Sequence, residues 1–252
     1  MTLKTLISSS ALALVALLAP VAPASALDDA QKKEIGEFIR EYLIEHPEVM
    51  IEVQQALEMK QYQARLKQAE VAVQENHAEI FTSANDMSLG NPNGKITIVE
   101  FFDYNCGYCK RAMSDMDTII KSNPDVRFVL KELPILGPAS VAAHKVSNAF
   151  RKIAPEKYAD FHRMLLGSEE RADEDVAIEV ATSLGVSEEK LRAEMAKDDD
   201  SDAQATELLA RKLGISGTPS YVVGNEAIFG AIGAEAINQK IANVGQCGKT
   251  TC

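Results

Sequence analysis

Two cysteines with two residues between them, Cys106 and Cys109, stand in the stretch EFFDYNCGYCKR at 100–111. Sulfurs at this spacing can clip a metal, staple a loop or exchange disulfides. Zinc asks for four ligands at set spacings. The other cysteines, Cys247 and Cys252, lie far along the chain, and His46, His77, His144 and His162 form no HxxH or HxxxH pair. A metal site is therefore rejected, and no cofactor is implied. As a staple, a Cys106–Cys109 bridge would close so small a loop that it constrains the unfolded chain little. Reversible exchange is what the spacing does well. One thiolate attacks a partner disulfide, and the second sulfur is already placed to resolve the mixed intermediate.

Position decides which sulfur attacks. KITIVEFF (95–102) is β-branched, aromatic and apolar almost throughout, which suits a buried central strand. The helical spacing of Met113, Met116, Ile119 and Ile120 places a helix after it, starting around Cys106 with Asn105 as the expected N-cap. Cys106 then sits at the positive end of the helix dipole among unpaired N–H groups, which lowers a thiol pKa. Cys109, one turn further in, faces inward. This placement predicts Cys106 as nucleophile and Cys109 as resolving thiol. VRFVLKEL (126–133) supplies a second strand, completing a strand–helix–strand unit whose parallel crossover should be right-handed.

The rest of the chain must hold that unit. From Ser140 to Leu213 the pattern is almost all helical, in five successive segments, one of them with Ser187 as N-cap. SYVVGNEAIFGAI (220–232) reads as two short strands about a Gly224-Asn225 turn, and GAEAINQKIANV (233–244) as a closing helix. Strands interrupted by one helical block indicate an insertion within a small α/β domain.

Ahead of this, Ile35, Phe38, Ile39, Tyr42 and Leu43 make an amphipathic stripe ended by Pro47, and a second helix is expected from Pro47 to about Ile80. Along it Met59, Tyr62, Leu66, Ala69, Val73, Asn76 and Ile80 alternate spacings of three and four, as heptads do. Two readings are open: the helix packs against the same helix of a neighbouring chain, or it folds back on its own domain. GNPNG (90–94) is a turn cluster separating this segment from the strand.

Residues 1–26 carry Lys4, an apolar run from Ala11 to Ala22 and the small residues Ala24-Ser25-Ala26, the layout of a secretory leader cut after about Ala26. The run is short for a span and broken by Pro20 and Pro23, which disfavours an uncleaved anchor, and no cysteine comes after the cut to take a lipid. No stable membrane insertion is expected. A net charge of −11 leaves no electrostatic footprint for nucleic acid. In an exported chain an even cysteine count defaults to disulfides.

VEFFDYNCGYCKR, the later GISGTPSYVVG and the helical block between them resemble the DsbA-type thiol–disulfide oxidoreductases of the bacterial periplasm, over roughly residues 80–245. REYLIEHPEV resembles the N-terminal helical arm of the ScsC-like members, some of which oligomerise through it. The resemblance implies an α/β thioredoxin fold at 79–252 with an all-helical insertion at about 138–198, preceded by an arm at 27–78 that is a candidate homo-oligomerisation segment. It implies clients that are exported proteins with cysteines, and a membrane redox partner that resets the dithiol. It also implies that Thr218-Pro219 occupies the position of a cis-proline facing the dithiol, a bond type that tolerates cis at modest cost. Lacking an N–H, Pro219 leaves the Thr218 carbonyl to pair with a client backbone. Glu100 holds the place of a buried acid that relays a proton to Cys109, and Lys131 on the adjacent strand that of a lysine near this acid. A solvated strand end is the alternative for both. Cys247 and Cys252 depart from the family's single pair. CGKTTC is glycine-containing and flexible, so a local disulfide is easy, and a second redox pair feeding the first is the other reading.

Three functions compete: disulfide isomerase or reductase, disulfide-donating oxidase, and a client-holding module without exchange. The dithiol argues against the third. Gly107-Tyr108 and Thr218 resemble the isomerising and reducing relatives, as does an oligomeric arm, whereas the helical insertion points back toward oxidation. The balance favours isomerase or reductase.

Overall fold

The computed structural model of the chain describes residues 27–252, and the leader expected at 1–26 lies outside the described residues. By packing the chain divides into two compact units, the first ending at Leu57 and the second running Glu58–Cys252. In the first, helix α1 (Asp29–Glu45) is capped by Asp28, whose carboxylate accepts from the Gln31 N–H while the Gln31 side chain accepts from the Asp28 N–H. No residue of α1 is buried, and Phe38, Ile39 and Tyr42 stay exposed.

Helix α2 (Glu48–Glu75) is followed by a separate short helix, α3 (His77–Phe81). The single helix expected to Ile80 is therefore broken at Asn76. The side-chain amide of Asn76 donates to the Ala72 carbonyl at 2.8 Å, offering the backbone a local alternative to the helix ladder.

The second unit is built on a five-stranded sheet in the order β1-β3-β2-β4-β5. β2 (Ile96–Phe102) and β3 (Val126–Glu132) are parallel, joined by helix α4 (Gly107–Ser122). β4 (Ser220–Val223) and β5 (Glu226–Phe229) form the expected hairpin, β4 lying antiparallel to β2. β1 (Met87–Gly90) is an edge strand that sequence reading missed, because four residues ending in glycine give no usable alternation. Gly90 is required there: at φ +82° it approaches the Val126 carbonyl so closely that a Cβ would stand 2.7 Å from its oxygen.

The helical block resolves into α5 (Pro138–Ile153), a short 3-10 turn, α6 (Tyr158–Gly167), α7 (Glu174–Ser183), α8 (Glu188–Met195) and α9 (Ser201–Lys212), and α10 (Ala234–Cys247) closes the chain. Ser187 caps α8 as expected, accepting from the Lys190 N–H. The sheet is buried on both faces, which is why β2 reads as a continuous apolar run. On one face Ile98, Phe102, Phe128 and Tyr221 pack with α4 to α8 and α10. On the other, Val99, Phe101, Val129 and Val222 are covered by Ala69, Ala72 and Val73 of α2, by α3 and by α9. The C-terminal half of α2 thus folds back on its own unit, while Met59 and Tyr62 remain exposed. At the end of β3 the largely covered Glu132 accepts from Ser147 Oγ (2.6 Å), Tyr158 OH (2.8 Å) and His144 Nδ1 (2.8 Å). Burial alone would raise its carboxyl, but these bonds outweigh it and hold the group below its ordinary range. They also pin the helical block to the sheet.

Candidate active site

β2 delivers the chain to the site, and Asp103 turns it. The buried Asp103 accepts at Oδ1 from the Asn105 N–H (2.8 Å) and Ser140 Oγ (2.7 Å), and at Oδ2 from the Leu136 N–H (3.0 Å). Asn105 is not the N-cap. Its amide is spent on the helical block, donating to the Ala172 carbonyl (2.7 Å) and Ser140 Oγ (3.0 Å) and accepting from the Ala172 N–H (2.9 Å). The cap of α4 is Cys106 itself, whose sulfur accepts from the Cys109 N–H at 3.4 Å. A sulfur therefore fills the role usually taken by a hydroxyl or carboxylate oxygen. Asp103 and Ser140 are the residues that sequence reasoning missed, and Asn105 is the one it placed in another role. Only the turn-forming character of Asp-x-Asn hinted at them.

Cys106 and Cys109 are both free and buried. The Cys106 thiol is lowered to about 5, first by the hydrogen bond from the Cys109 thiol, against the opposing effect of burial, with help from the Thr218 side chain and the N–H groups of Cys109 and Tyr108. The Thr218 hydroxyl is buried and makes no hydrogen bond of standard geometry, so it acts on the sulfur as a nearby dipole. Cys109 is displaced the opposite way. The bond it gives Cys106 and its own burial push its thiol far above the ordinary range, and the charges of Cys106 and Glu100 add to this. Backbone donors and the partner thiol thus ionise one sulfur at the expense of the other.

The bond between Thr218 and Pro219 is cis, and the Thr218 carbonyl lies 3.1 Å from Cys106 Sγ, accepting from it when the thiol is protonated. Glu100 is 3% exposed, paired across the sheet with Tyr221 on one side and Leu130 on the other. Burial, reinforced by the negative charges of Cys106 and Asp115, raises its carboxyl to about 8. Lys131 is not beside it. It is in register with Phe101, so the pleat turns it to the opposite face, where Nζ meets Asp86 Oδ2 (2.6 Å) and the Glu79 carbonyl (2.8 Å). The expected Glu100–Lys131 neighbourhood is corrected by a one-residue difference in register.

Cys247 and Cys252 are disulfide-bonded, with Cα atoms 6.3 Å apart. They lie toward the other end of the sheet. β4 runs away from Pro219 to the Gly224 turn, where the Thr250 side chain and Val244 stand. Among the described residues no cluster of three or more His, Cys, Asp or Glu could hold a metal.

Residues 97–242 match the family described as DSBA-like thioredoxin domain, and residues 31–64 match the copper resistance protein ScsC N-terminal domain. The chain is similar to a thioredoxin-like oxidoreductase from Silicibacter pomeroyi, at 35% identity and TM-score 0.65, over 68% of this chain and 99% of that one. It is similar to Proteus mirabilis ScsC in a transitional conformation, at 29% identity and TM-score 0.58, over 84% of this chain and 94% of that one. It is 28% identical over 151 residues to disulfide bond formation protein D of Bacillus subtilis, covering 56% of this chain and 68% of that protein.

Two measurements check the site. Alkylation of Cys106 in the reduced chain should rise with pH to a half-point near 5; a half-point above about 8, where an ordinary thiol titrates, would overturn the account of the sulfur. Glu100 is raised on folding from an ordinary value of 4.5 to about 8. The stability it leaves is intact below the unfolded value and is lost as pH rises through the folded one. Relative to wild type, Glu100→Gln should therefore gain up to about 3 kcal/mol of unfolding free energy between about pH 5 and pH 7. Parallel stability curves for the two proteins would contradict this.

Proposed function

The chain belongs to the DSBA-like thioredoxin-domain family of thiol–disulfide oxidoreductases, with an ScsC-type N-terminal domain ahead of it, and on that premise we propose that it exchanges disulfides with exported proteins as an isomerase or reductase. The observation that carries the exchange itself is the setting of the two sulfurs, with Cys106 Sγ capping α4 at 3.4 Å from the Cys109 N–H and 3.1 Å from the Thr218 carbonyl, turned toward thiolate while Cys109 stays thiol.

The steps arise from the groups in place. The Cys106 thiolate attacks one sulfur of a client disulfide; a mixed disulfide forms and the other client sulfur leaves as thiolate. The client backbone pairs with the Thr218 carbonyl, which Cys106 vacates on losing its proton. To finish as a reductase, Cys109 passes its proton to the Glu100 carboxylate and attacks Cys106 Sγ, releasing the client sulfur and leaving Cys106–Cys109 oxidised. To finish as an isomerase, a second client thiolate attacks the mixed disulfide and Cys106 leaves unchanged. Raised to about 8, Glu100 is suited to hold or release a proton near neutral pH. Tyr108, Leu136 and Val141, on segments tied to the site, are exposed and offer apolar contact to unfolded clients.

One observation favours the oxidase as a second reading. A thiol at about 5 lies between thioredoxin, near 7, and the strong oxidant DsbA, near 3.5. A stabilised thiolate makes the reduced form the comfortable one and the disulfide a better donor. In either direction a membrane partner is proposed to reset the pair, in the oxidising compartment implied by the expected leader. No helix among the described residues is long and apolar enough to cross a membrane.

The exposed Ile35, Phe38, Ile39 and Tyr42 of α1 support self-association through the arm, a second copy covering the stripe. Isomerase action should appear as recovered activity of scrambled ribonuclease, oxidase action as faster oxidation of reduced ribonuclease; inactivity in both assays would remove the exchange reading. By light scattering, Phe38→Glu with Ile39→Glu in the full chain should lower the mass to that of a single chain, and an unchanged mass would remove the arm from assembly.

A further inference from the structure

Helix α2 reaches the exchange site at one remove. Arg65 donates its Nε–H to the Gly214 carbonyl at 2.9 Å and lays its guanidinium over the Phe229 ring, 3.6 Å from the centroid. Each contact grips one end of the framework that carries Thr218 and Pro219. Gly214 lies just past the end of α9: at φ +69° its N–H bonds the Arg211 carbonyl, and the Ile215 N–H returns to Ala210. Only Ile215, Ser216 and Gly217 separate it from Thr218. Phe229 is paired with Ser220, the residue after Pro219, and the Gly230 N–H donates to the Pro219 carbonyl at 3.1 Å.

We propose that Arg65 is a positioning residue for exchange, bracing the 214–219 segment so that the Thr218 carbonyl is presented to a client backbone beside Cys106. The proposal rests on the exchange reading above. Ile215 is buried in the core and the Gly217 carbonyl accepts from Ser220 Oγ at 2.8 Å, but Ser216 and Gly217 are exposed, so the two residues before Thr218 take much of their order from the anchored ends of the segment. A guanidinium is suited to the task because it donates from its edge while its face stacks on a ring, and a lysine ammonium cannot do both at once. The rest of α2 is fastened independently, by the buried Ala69, Ala72 and Val73 and by the Asn225–Glu70 bond at 2.7 Å. Removing the Arg65 side chain therefore acts on the segment and leaves the helix in place.

The test compares two probes on the full-length reduced chain. One is an extended peptide carrying a mixed disulfide, which needs the Thr218 carbonyl; the other is 5,5′-dithiobis(2-nitrobenzoate), which has no backbone to pair. Arg65→Ala should lower the peptide rate constant about five-fold while the small-disulfide rate stays within about two-fold. Arg65→Lys should fall between wild type and alanine, and Phe229→Leu should shift the ratio of rates in the same direction. Val73→Ala, which loosens the same helix without touching Arg65, should leave the ratio unchanged. Equal effects of Arg65→Ala on both probes, no effect on either, or a matching shift from Val73→Ala would overturn the proposal. A wild-type chain that reacts with neither probe faster than a free thiol would sink the exchange reading itself, and the brace with it.

Discussion

A thiolate that has lost most of its water is stable only where donors replace what the water gave. That requirement organises this site. Cys106 stands where α4 begins, so the unpaired N–H groups of a first helical turn point at its sulfur, and the sulfur caps the helix in return. The Cys109 thiol supplies the remaining donor, and by giving its hydrogen to Cys106 it becomes harder to ionise itself. One local geometry thus sets the two sulfurs apart, Cys106 toward thiolate and Cys109 toward thiol. The cost is positional: the loop before α4 must not drift, and Asp103 and Asn105 spend their polar atoms tying it to Ser140, Leu136 and Ala172.

The two faces of the sheet divide the remaining work. Alternation along β2 sends Glu100 toward the sulfurs and Phe101 toward α2 and α9, and the same pleat carries Lys131 away to Asp86. A buried carboxyl without a lysine beside it stays protonated to higher pH than one in an ion pair, which is the condition for exchanging a proton near neutrality. The separation of Glu100 from Lys131 therefore supports the proton-holding role proposed for this carboxyl.

Much of this was legible in the chain. The strand–helix–strand unit, the five helices of the block and the hairpin all derive from apolar period and turn residues, which are local signals. What escaped depended on side chains meeting across long sequence distances. Asn105 looked like a cap because its type favours caps, but its partner Ala172 lies 67 residues away and won the competition. The face occupied by Lys131 required strand register, which turns on a single residue. Arg65 gave no signal at all: an arginine on a polar helix is ordinarily solvated, and only the fold brings Gly214 and Phe229 to it. The heptad-like stripe on α2 was real, yet its second half is satisfied within the same chain by the sheet.

That half-helix has a bearing on how such chains can be lengthened, shortened or recombined. The change in sequence character near residue 78 invites a module boundary there, but a chain divided at that point would take from Val99, Phe101, Val129 and Val222 the cover that Ala69, Ala72 and Val73 give them. A single residue inserted between Leu66 and Ala69 would rotate the N-terminal part of α2 by about 100° against its C-terminal part, and so swing Arg65 away from Gly214 while Ala69 and Val73 kept their places. Tolerance for insertion should therefore end N-terminal to Glu58, where the second unit begins, and any exchange of arms between relatives must carry its splice upstream of that wall.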